Sequence, residues 1–355
     1  MPMKKLSSKN IILTTIYLML IASLISCVSS IQYQPAINDP LELSAVKNGQ
    51  TSLLSYNIQA IFGKEKTKLD ALLDYIHTEA YDFVVFQELF DETAREYILS
   101  HIDRSIYQSV VSRIDYQSFP ELLFQDAGLF VMSKYPQVDL SGIKFDDAVQ
   151  LSDGAVHMIL TKELSITTDF LANKSVVGSL YQLPDATYFF LFTTHVQAIG
   201  SKTQKRRQYR EIKDFIDYAV FAMLKSGTIK SSEKMTVVLA GDFNSDAYDQ
   251  KNMDRLLNDL GSPRELFSER HASKKEYTMI FKLFNLYKRF DYIFTYDQIL
   301  DFPLKKVGAK SINATDIRDK NDESISDHMA LKASLVFQSV PDQKQKSYTK
   351  ERRAK

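Results

Sequence analysis

Apolar positions recur along this chain with two different periods. Leu69, Leu72, Leu73 and Ile76 stand at i, i+3, i+4 and i+7, and Tyr209, Ile212, Ile216, Ala219 and Met223 follow a similar spacing. Such spacing lays one apolar stripe along a helix and predicts an amphipathic helix at both places. Elsewhere the apolar runs are short: Phe83 to Phe86, Leu129 to Met132, Tyr188 to Phe192, Val237 to Ala240 and, broken by Lys332 and Ser334, Leu331 to Val336. These runs predict strands covered on both faces. Helical and strand patterns alternate from Thr51 to Val336 without a linker or low-complexity stretch, so one domain is expected over 51–337.

Polar residues gather where the apolar runs stop. Asn57 follows Leu53-Leu54, Gln87-Glu88 follows Phe83 to Phe86, His195 follows the run ending at Phe192, and Asp242 and Asn244 follow Leu239-Ala240. Asp327-His328 comes just before the last run. Strand ends are rigid mounts from which side chains of several strands can converge on one cleft. Any single one of these residues could instead cap a turn or a helix. Five such positions in one chain argue for a shared site. Carboxylates, an amide and imidazoles together can hold a hard divalent cation and activate a water, which points to hydrolysis of a phosphate ester. His77, His101, His157 and His271 fall outside these strings and receive no role.

Composition adds limits rather than direction. The chain has 355 residues, 45% of them hydrophobic, enough for one large core. Its 44 basic and 44 acidic residues cancel, so no bulk attraction to nucleic acid is expected. The single cysteine, Cys27, excludes an intrachain disulfide. Lys4, Lys5 and Lys9 precede an apolar run from Ile11 to Ile25 that is short for a membrane span and matches a signal-peptide core. Leu24-Ile25-Ser26-Cys27 closes that run and resembles a bacterial lipobox, in which Cys27 becomes the lipidated first residue of the mature protein. The expectation is therefore a signal peptide over 1–27, a tether over 28–50, the catalytic domain over 51–337 and a basic, solvated tail over 338–355. The chain would be exported and held as a membrane lipoprotein at the outer membrane or cell surface, or otherwise secreted.

Taken in order, Ser55-Tyr56-Asn57-Ile58-Gln59, Phe86-Gln87-Glu88-Leu89-Phe90-Asp91, Thr194-His195-Val196-Gln197-Ala198, Gly241-Asp242-Phe243-Asn244, Phe290-Asp291-Tyr292-Ile293 and Ser326-Asp327-His328 resemble the motifs of the endonuclease/exonuclease/phosphatase superfamily. Within it the chain looks most like the neutral, Mg-dependent sphingomyelinases. The extended string Gln87 to Asp91 with Ala94-Arg95, the block Asp126-Ala127-Gly128-Leu129 with Ser133-Lys134-Tyr135-Pro136, and Leu171-Ala172-Asn173-Lys174 with Gly178 carry that resemblance. It implies a DNase I-like four-layer α/β sandwich, two mainly antiparallel sheets face to face with helices outside.

The resemblance also implies roles. Glu88 would be the main Mg²⁺ ligand, with Asn57 supplying an amide oxygen. His328 would be the general base, oriented by Asp327 or Asp242. Asp242 and Asn244 would stand beside the attacking water and the phosphate, and His195 would donate to a phosphate oxygen or aid the leaving group. Asp291 would set the ionisation of His195, and Asp126 is a further candidate member of the site. The stretch Phe281 to Lys288 is aromatic and basic, and is expected as a strand leading into Phe290-Asp291-Tyr292; exposed, it could enter a lipid interface. The insert from about Phe145 to Val176 is not placed by its sequence. The expected activity is Mg²⁺-dependent cleavage of sphingomyelin or a related phospholipid, by a monomer, at a membrane surface. A nuclease of the same superfamily is the first alternative and a non-catalytic surface-binding lipoprotein the second.

Overall fold

A computed structural model describes residues 49–338, apart from 62, 115–125, 164–171, 272–273 and 282–285. Cys27 and the basic tail lie outside the described residues, as does Leu171. No helix among the described residues is long and apolar enough to cross a membrane.

The consecutive apolar runs become strands whose alternate residues serve two different cores. Strand β1 (Gln50–Ala60) pairs in parallel with β2 (Phe83–Leu89), and helix α1 (Lys66–Glu79) makes the crossover. Leu53, Phe83 and Val85 point inward toward a second sheet, whereas Leu54, Val84 and Phe86 point outward to α1 and to helix α2 (Glu92–His101). The predicted stripe Leu69, Leu72, Leu73 and Ile76 is the buried face of α1. This first sheet is completed by β3 (Ser109–Val111), β4 (Phe130–Ser133), β16 (Val307–Thr315) and β17 (Ala330–Phe337), in the order β16-β17-β1-β2-β4-β3.

The second sheet repeats the scheme. Strand β8 (Tyr188–His195) runs parallel to β9 (Met235–Asp242), joined through the 24-residue helix α3 (Lys202–Lys225). Phe189 and Leu191 face the first sheet, while Phe190 and Phe192 pack on α3, whose buried face carries Tyr209, Ile212, Ile216, Ala219 and Met223. Helix α4 (Gln250–Asp259) lies on the same outer side through Met253 and Leu256. β5 (Gln150–Ser152), β6 (Ala155–Ile159), β7 (Ser175–Gln182), β10 (Arg264–Glu265) and β13 (Asp291–Tyr296) complete it, in the order β10-β13-β9-β8-β7-β6-β5. All neighbours other than β1·β2 and β8·β9 are antiparallel. Three apolar layers thus separate four layers of structure, as the resemblance implied. The insert that its sequence does not place supplies β5, β6 and the start of β7 at one sheet edge.

One expectation fails. The stretch 281–288 is not a single strand running into Phe290. Met279–Phe281 (β11) and Leu286–Lys288 (β12) form a separate antiparallel hairpin, with Met279 opposite Lys288, and β14 (Gln298–Ile299) pairs with β15 (Phe302–Pro303) in another. Residues 282–285 lie outside the described residues.

Gly241, at the end of β9, has φ +146°, and a Cβ there would collide with the carbonyl oxygen of Thr194 on β8. The two parallel strands approach closely at this point because the position has no side chain. Gly241→Ala is expected to lower stability by roughly 3 kcal/mol, combining backbone strain with overpacking. Urea unfolding measures this, and a loss below about 1 kcal/mol would show that the strands can part.

Candidate functional site

The strand directions bring the polar strings to one rim. Asn57, Glu88, His195 and Asp242 stand at or near the C-terminal ends of β1, β2, β8 and β9. Asp291 opens β13 and His328 shortly precedes β17, both running the opposite way. This explains why four strings follow apolar runs and two precede them. Register then fixes neighbours: on β9, Asp242 lies opposite His195 of β8 on one side and Asp291 of β13 on the other.

At this rim the interface between the sheets turns from apolar to polar. Gln87 Nε2 donates to Thr193 Oγ1 of the other sheet at 3.1 Å. Asn57 Nδ2 donates to Glu88 Oε1 at 2.9 Å and, across the sheets, to Asp242 Oδ2 at 3.0 Å. The register of β1 on β2 slips between Asn57 and Ala60, and Glu88 adopts φ +57°. A bulge re-aims side chains, and a non-glycine residue held in the left-handed region is a strained one. Asn244, at φ +47°, is held by its own N–H on Asp242 Oδ1 at 2.8 Å and by its amide on the Val196 carbonyl at 2.9 Å.

His328 Nδ1 is 2.9 Å from Asp291 Oδ2, and its Nε2 is 3.7 Å from Asp242 Oδ2. Burial alone would push this imidazole down, but the carboxylates of Asp291, Asp242 and Asp327 outweigh it and raise it to about 10. Burial raises Asp242 to about 7, with Asp291 and Glu88 adding to the rise and His328 opposing it. Burial also raises Glu88, against the Asn57 hydrogen bond and the charges of His328 and Lys174. His195 is held well below its ordinary range, first by burial and then by Lys174 and His328, so its imidazole is neutral. It lies 3.4 Å from Glu88 Oε1 and 3.8 Å from Asp242 Oδ2.

Several expected pairings change. Asp291 orients His328, not His195: β9 lies between β13 and β8, so two strand spacings, ~10 Å, separate the registered positions of Asp291 and His195. Asp327 does not orient His328; its carboxylate receives a long 3.5 Å contact from Ser326 Oγ. Asn57 turns its amide nitrogen, not its oxygen, toward the carboxylates, and its oxygen accepts from the Gln59 N–H at 3.1 Å. Asp126 stands apart from the cluster. Its carboxylate is paired with Arg95 at 2.6 and 3.0 Å and with Arg113 at 3.0 Å, and it accepts from the Gly128 N–H. Arg95 in turn donates to the Leu89 carbonyl at 2.6 Å, so the pair braces the strand end just beyond Glu88.

Two residues that carried resemblance without a role become informative. Arg95 is this buried brace, and Lys174, 1% exposed, is a buried cation whose charge reaches both Glu88 and His195. Nothing in the string Ala172-Asn173-Lys174 announces that depth. Lys64 ties the β1 bulge to the segment before His328, donating to the carbonyls of Ile58 at 2.8 Å and Ile325 at 2.5 Å.

The residues present fit a divalent cation. Ligand atoms of Glu88, His195 and Asp242 lie within 4.8 Å of one another. Both ring nitrogens of His195 are buried without a hydrogen-bond partner, a condition that buried polar groups seldom tolerate. Glu88 and Asp242 bring hard oxygens from the two sheets to one point, and a half-turn of the Asn57 amide would add a third.

The model of the endonuclease/exonuclease/phosphatase family matches residues 54–328, and the chain belongs to that family, which places it among metal-dependent phosphoesterases. No curated protein sequence matches it. Among solved structures, TDP2 from D. rerio complexed with a single-strand DNA product superposes with a TM-score of 0.54 at 15% identity, covering 81% of this chain and 98% of that one. A mutant beta toxin from Staphylococcus aureus with bound magnesium ions gives 0.51 at 19% identity, covering 80% and 99%. Sphingomyelinase C from Streptomyces griseocarneus gives 0.52 at 15% identity, covering 80% and 99%. At these identities the similarity is one of fold.

The raised imidazole gives a prediction for the metal-free protein. Its folded value lies above the ordinary ~6.5. The stabilisation it contributes is therefore complete below ~6.5 and is lost as pH rises through about 10. Followed by NMR, the His328 ring should remain protonated at neutral pH, and Asp291→Asn should move its titration to lower pH by about a unit or more. An unchanged midpoint in that variant would show that Asp291 does not hold the proton.

Proposed function

We propose that this chain is an exported Mg²⁺-dependent phosphodiesterase that cleaves sphingomyelin or a related phospholipid to ceramide and phosphocholine at a membrane surface. One observation favours lipid over nucleic acid. The hairpin β11–β12 exposes Leu286 and Tyr287, at 42% and 44%, and is bonded directly to the segment carrying His328. The Ile280 N–H donates to the Asp327 carbonyl at 3.0 Å, and the Met329 N–H donates to the Thr278 carbonyl at 2.5 Å. An apolar, aromatic edge next to the general base suits a substrate drawn from a lipid interface. Export and a lipid anchor on Cys27 belong to the same proposal and rest on the lipobox-like end of the apolar run.

Glu88 and Asp242, with Asn57 and His195 close by, would hold the cation, which polarises a phosphoryl oxygen and offsets the charge that builds on the phosphate. The residues then divide the remaining work. Asp291 fixes the Nδ1 side of His328 and leaves Nε2 facing the cluster; with a cation bound, the carboxylate charge that holds the ring's proton would be offset, and the freed Nε2 would take the proton of the attacking water. Asp242 lies on the same side and steadies the imidazolium that results. Neutral His195 offers a ring N–H to a phosphate oxygen, and Asn244 stands beside the water's approach, locked by the backbone bonds described above.

In an assay of the purified chain on sphingomyelin vesicles beside plasmid DNA, sphingomyelin should be cleaved with Mg²⁺ and spared with EDTA. Glu88→Ala, His328→Ala and Asp242→Ala should each lower the rate roughly a hundredfold or more. Plasmid cleavage without sphingomyelin cleavage would establish the nuclease reading. Folded variants with full activity would overturn these roles.

A further inference from the structure

Beside Asn244 lies an open cavity of about 340 Å³. Five cationic side chains line it: Lys202, Lys205 and Arg206 from the first turns of α3, Arg255 from α4, and Lys288 from β12. Three of them are committed. Lys205 Nζ donates to the Asn244 carbonyl at 2.8 Å, Arg206 is paired with Asp259 at 2.6 and 2.9 Å, and Lys288 is paired with Asp246 at 2.6 Å. Asp249, the second carboxylate in the lining, caps α4 through the Asn252 N–H at 3.1 Å. Lys202 is exposed, and Arg255 reaches only the Asn252 amide oxygen, at 3.5 Å. The cavity therefore keeps a positive excess although the whole chain is neutral. Its wall also contains Lys288, which stands on the same face of β12 as the exposed Leu286 two residues earlier, so the cavity adjoins that side of the apolar hairpin.

We propose that this cavity is a phosphate subsite for an anionic phospholipid of the membrane surface, separate from the lipid being cleaved. The inference rests on the lipid-interface reading of the hairpin. Its parts are complementary: the exposed Leu286 enters the apolar boundary, while Lys202 and Arg255 in the adjoining cavity meet the headgroup phosphate of a neighbouring acidic lipid. Lys205 links the subsite to the catalytic rim, because the carbonyl it holds belongs to Asn244. Basic residues near an acidic leaflet strengthen attachment residue by residue. A phosphate monoester in free solution offers the same oxygens, so the test has to separate the two sources.

The experiment uses the full chain in EDTA, which keeps binding apart from hydrolysis. Co-sedimentation compares phosphatidylcholine vesicles with a four-to-one mixture of phosphatidylcholine and phosphatidic acid. Wild type should bind the acidic vesicles more tightly, and the double variant Lys202→Gln/Arg255→Gln should lose about tenfold of that affinity. Lys225→Gln, at the other end of α3, should lose little. Lys202→Arg should retain the preference. Equal losses in the double variant and in Lys225→Gln would mean bulk attraction and would overturn the subsite. Broadening of the inorganic phosphate signal in ³¹P NMR, sensitive to the double variant but without any vesicle preference, would assign the cavity to a soluble phosphate and overturn the lipid. Loss of plasmid binding in the double variant without a vesicle preference would assign it to nucleic acid. Sphingomyelin cleavage in vesicles of phosphatidylcholine and sphingomyelin alone is scored separately, so failure of the catalytic reading leaves this result intact.

Discussion

The carboxylate of Asp242 is touched from both sheets. Asn57 donates to it from the first sheet, its own sheet brings His195 and Asp291 alongside, and His328 stands over it. Withdrawing an anion from water in this way is costly unless cations or donors surround it. Here the compensation comes from one amide, one backbone N–H and an imidazolium that itself leans on Asp291. The folded chain is thus arranged around a surplus of negative charge that its own side chains only partly answer. A divalent cation bound there would supply what is missing, and the same surplus explains why the His328 proton is so firmly held without one.

The strain around that point has a consistent purpose. Glu88 and Asn244 both occupy left-handed backbone, and the β1 bulge follows Asn57 directly. Each departure is braced from behind: Arg95 and Asp126 under the strand end after Glu88, Lys64 between the bulge and the segment before His328, Lys205 on the Asn244 carbonyl. Geometry that a strand end would not hold by itself is imposed by buried ion pairs and lysine–carbonyl bonds lying one layer back.

Much of this is legible in the order of residues, and the part that is not has a physical cause. Phe83 to Phe86 and Tyr188 to Phe192 read as two-sided strands because both faces of each are covered by apolar layers. Of the two carboxylates expected to orient His328, Asp242 does lie 3.7 Å from its Nε2, whereas the carboxylate of Asp327, its neighbour in sequence, instead receives the 3.5 Å contact from Ser326 Oγ. Asp291, 37 positions away, is its neighbour in space. The stretch 281–288 reads as one strand because it contains no Gly or Pro to mark a reversal. Asp126 looks like a site residue because a lone carboxylate gives no sign of an arginine that folding brings up from 31 residues earlier.

On the proposed reading, the hairpin β11–β12 would do two jobs with the same few residues. One strand offers a side of the molecule to its surroundings, while the backbone flanking that strand carries the hydrogen bonds that hold Asp327 and Met329, on either side of the imidazole. Docking and chemistry would then be mechanically joined there. A truncation meant to abolish attachment would also free the loop that aims the base, and its phenotype could not be ascribed to either alone. Only side-chain replacement at the exposed positions, with the ladder kept, would pull the two apart.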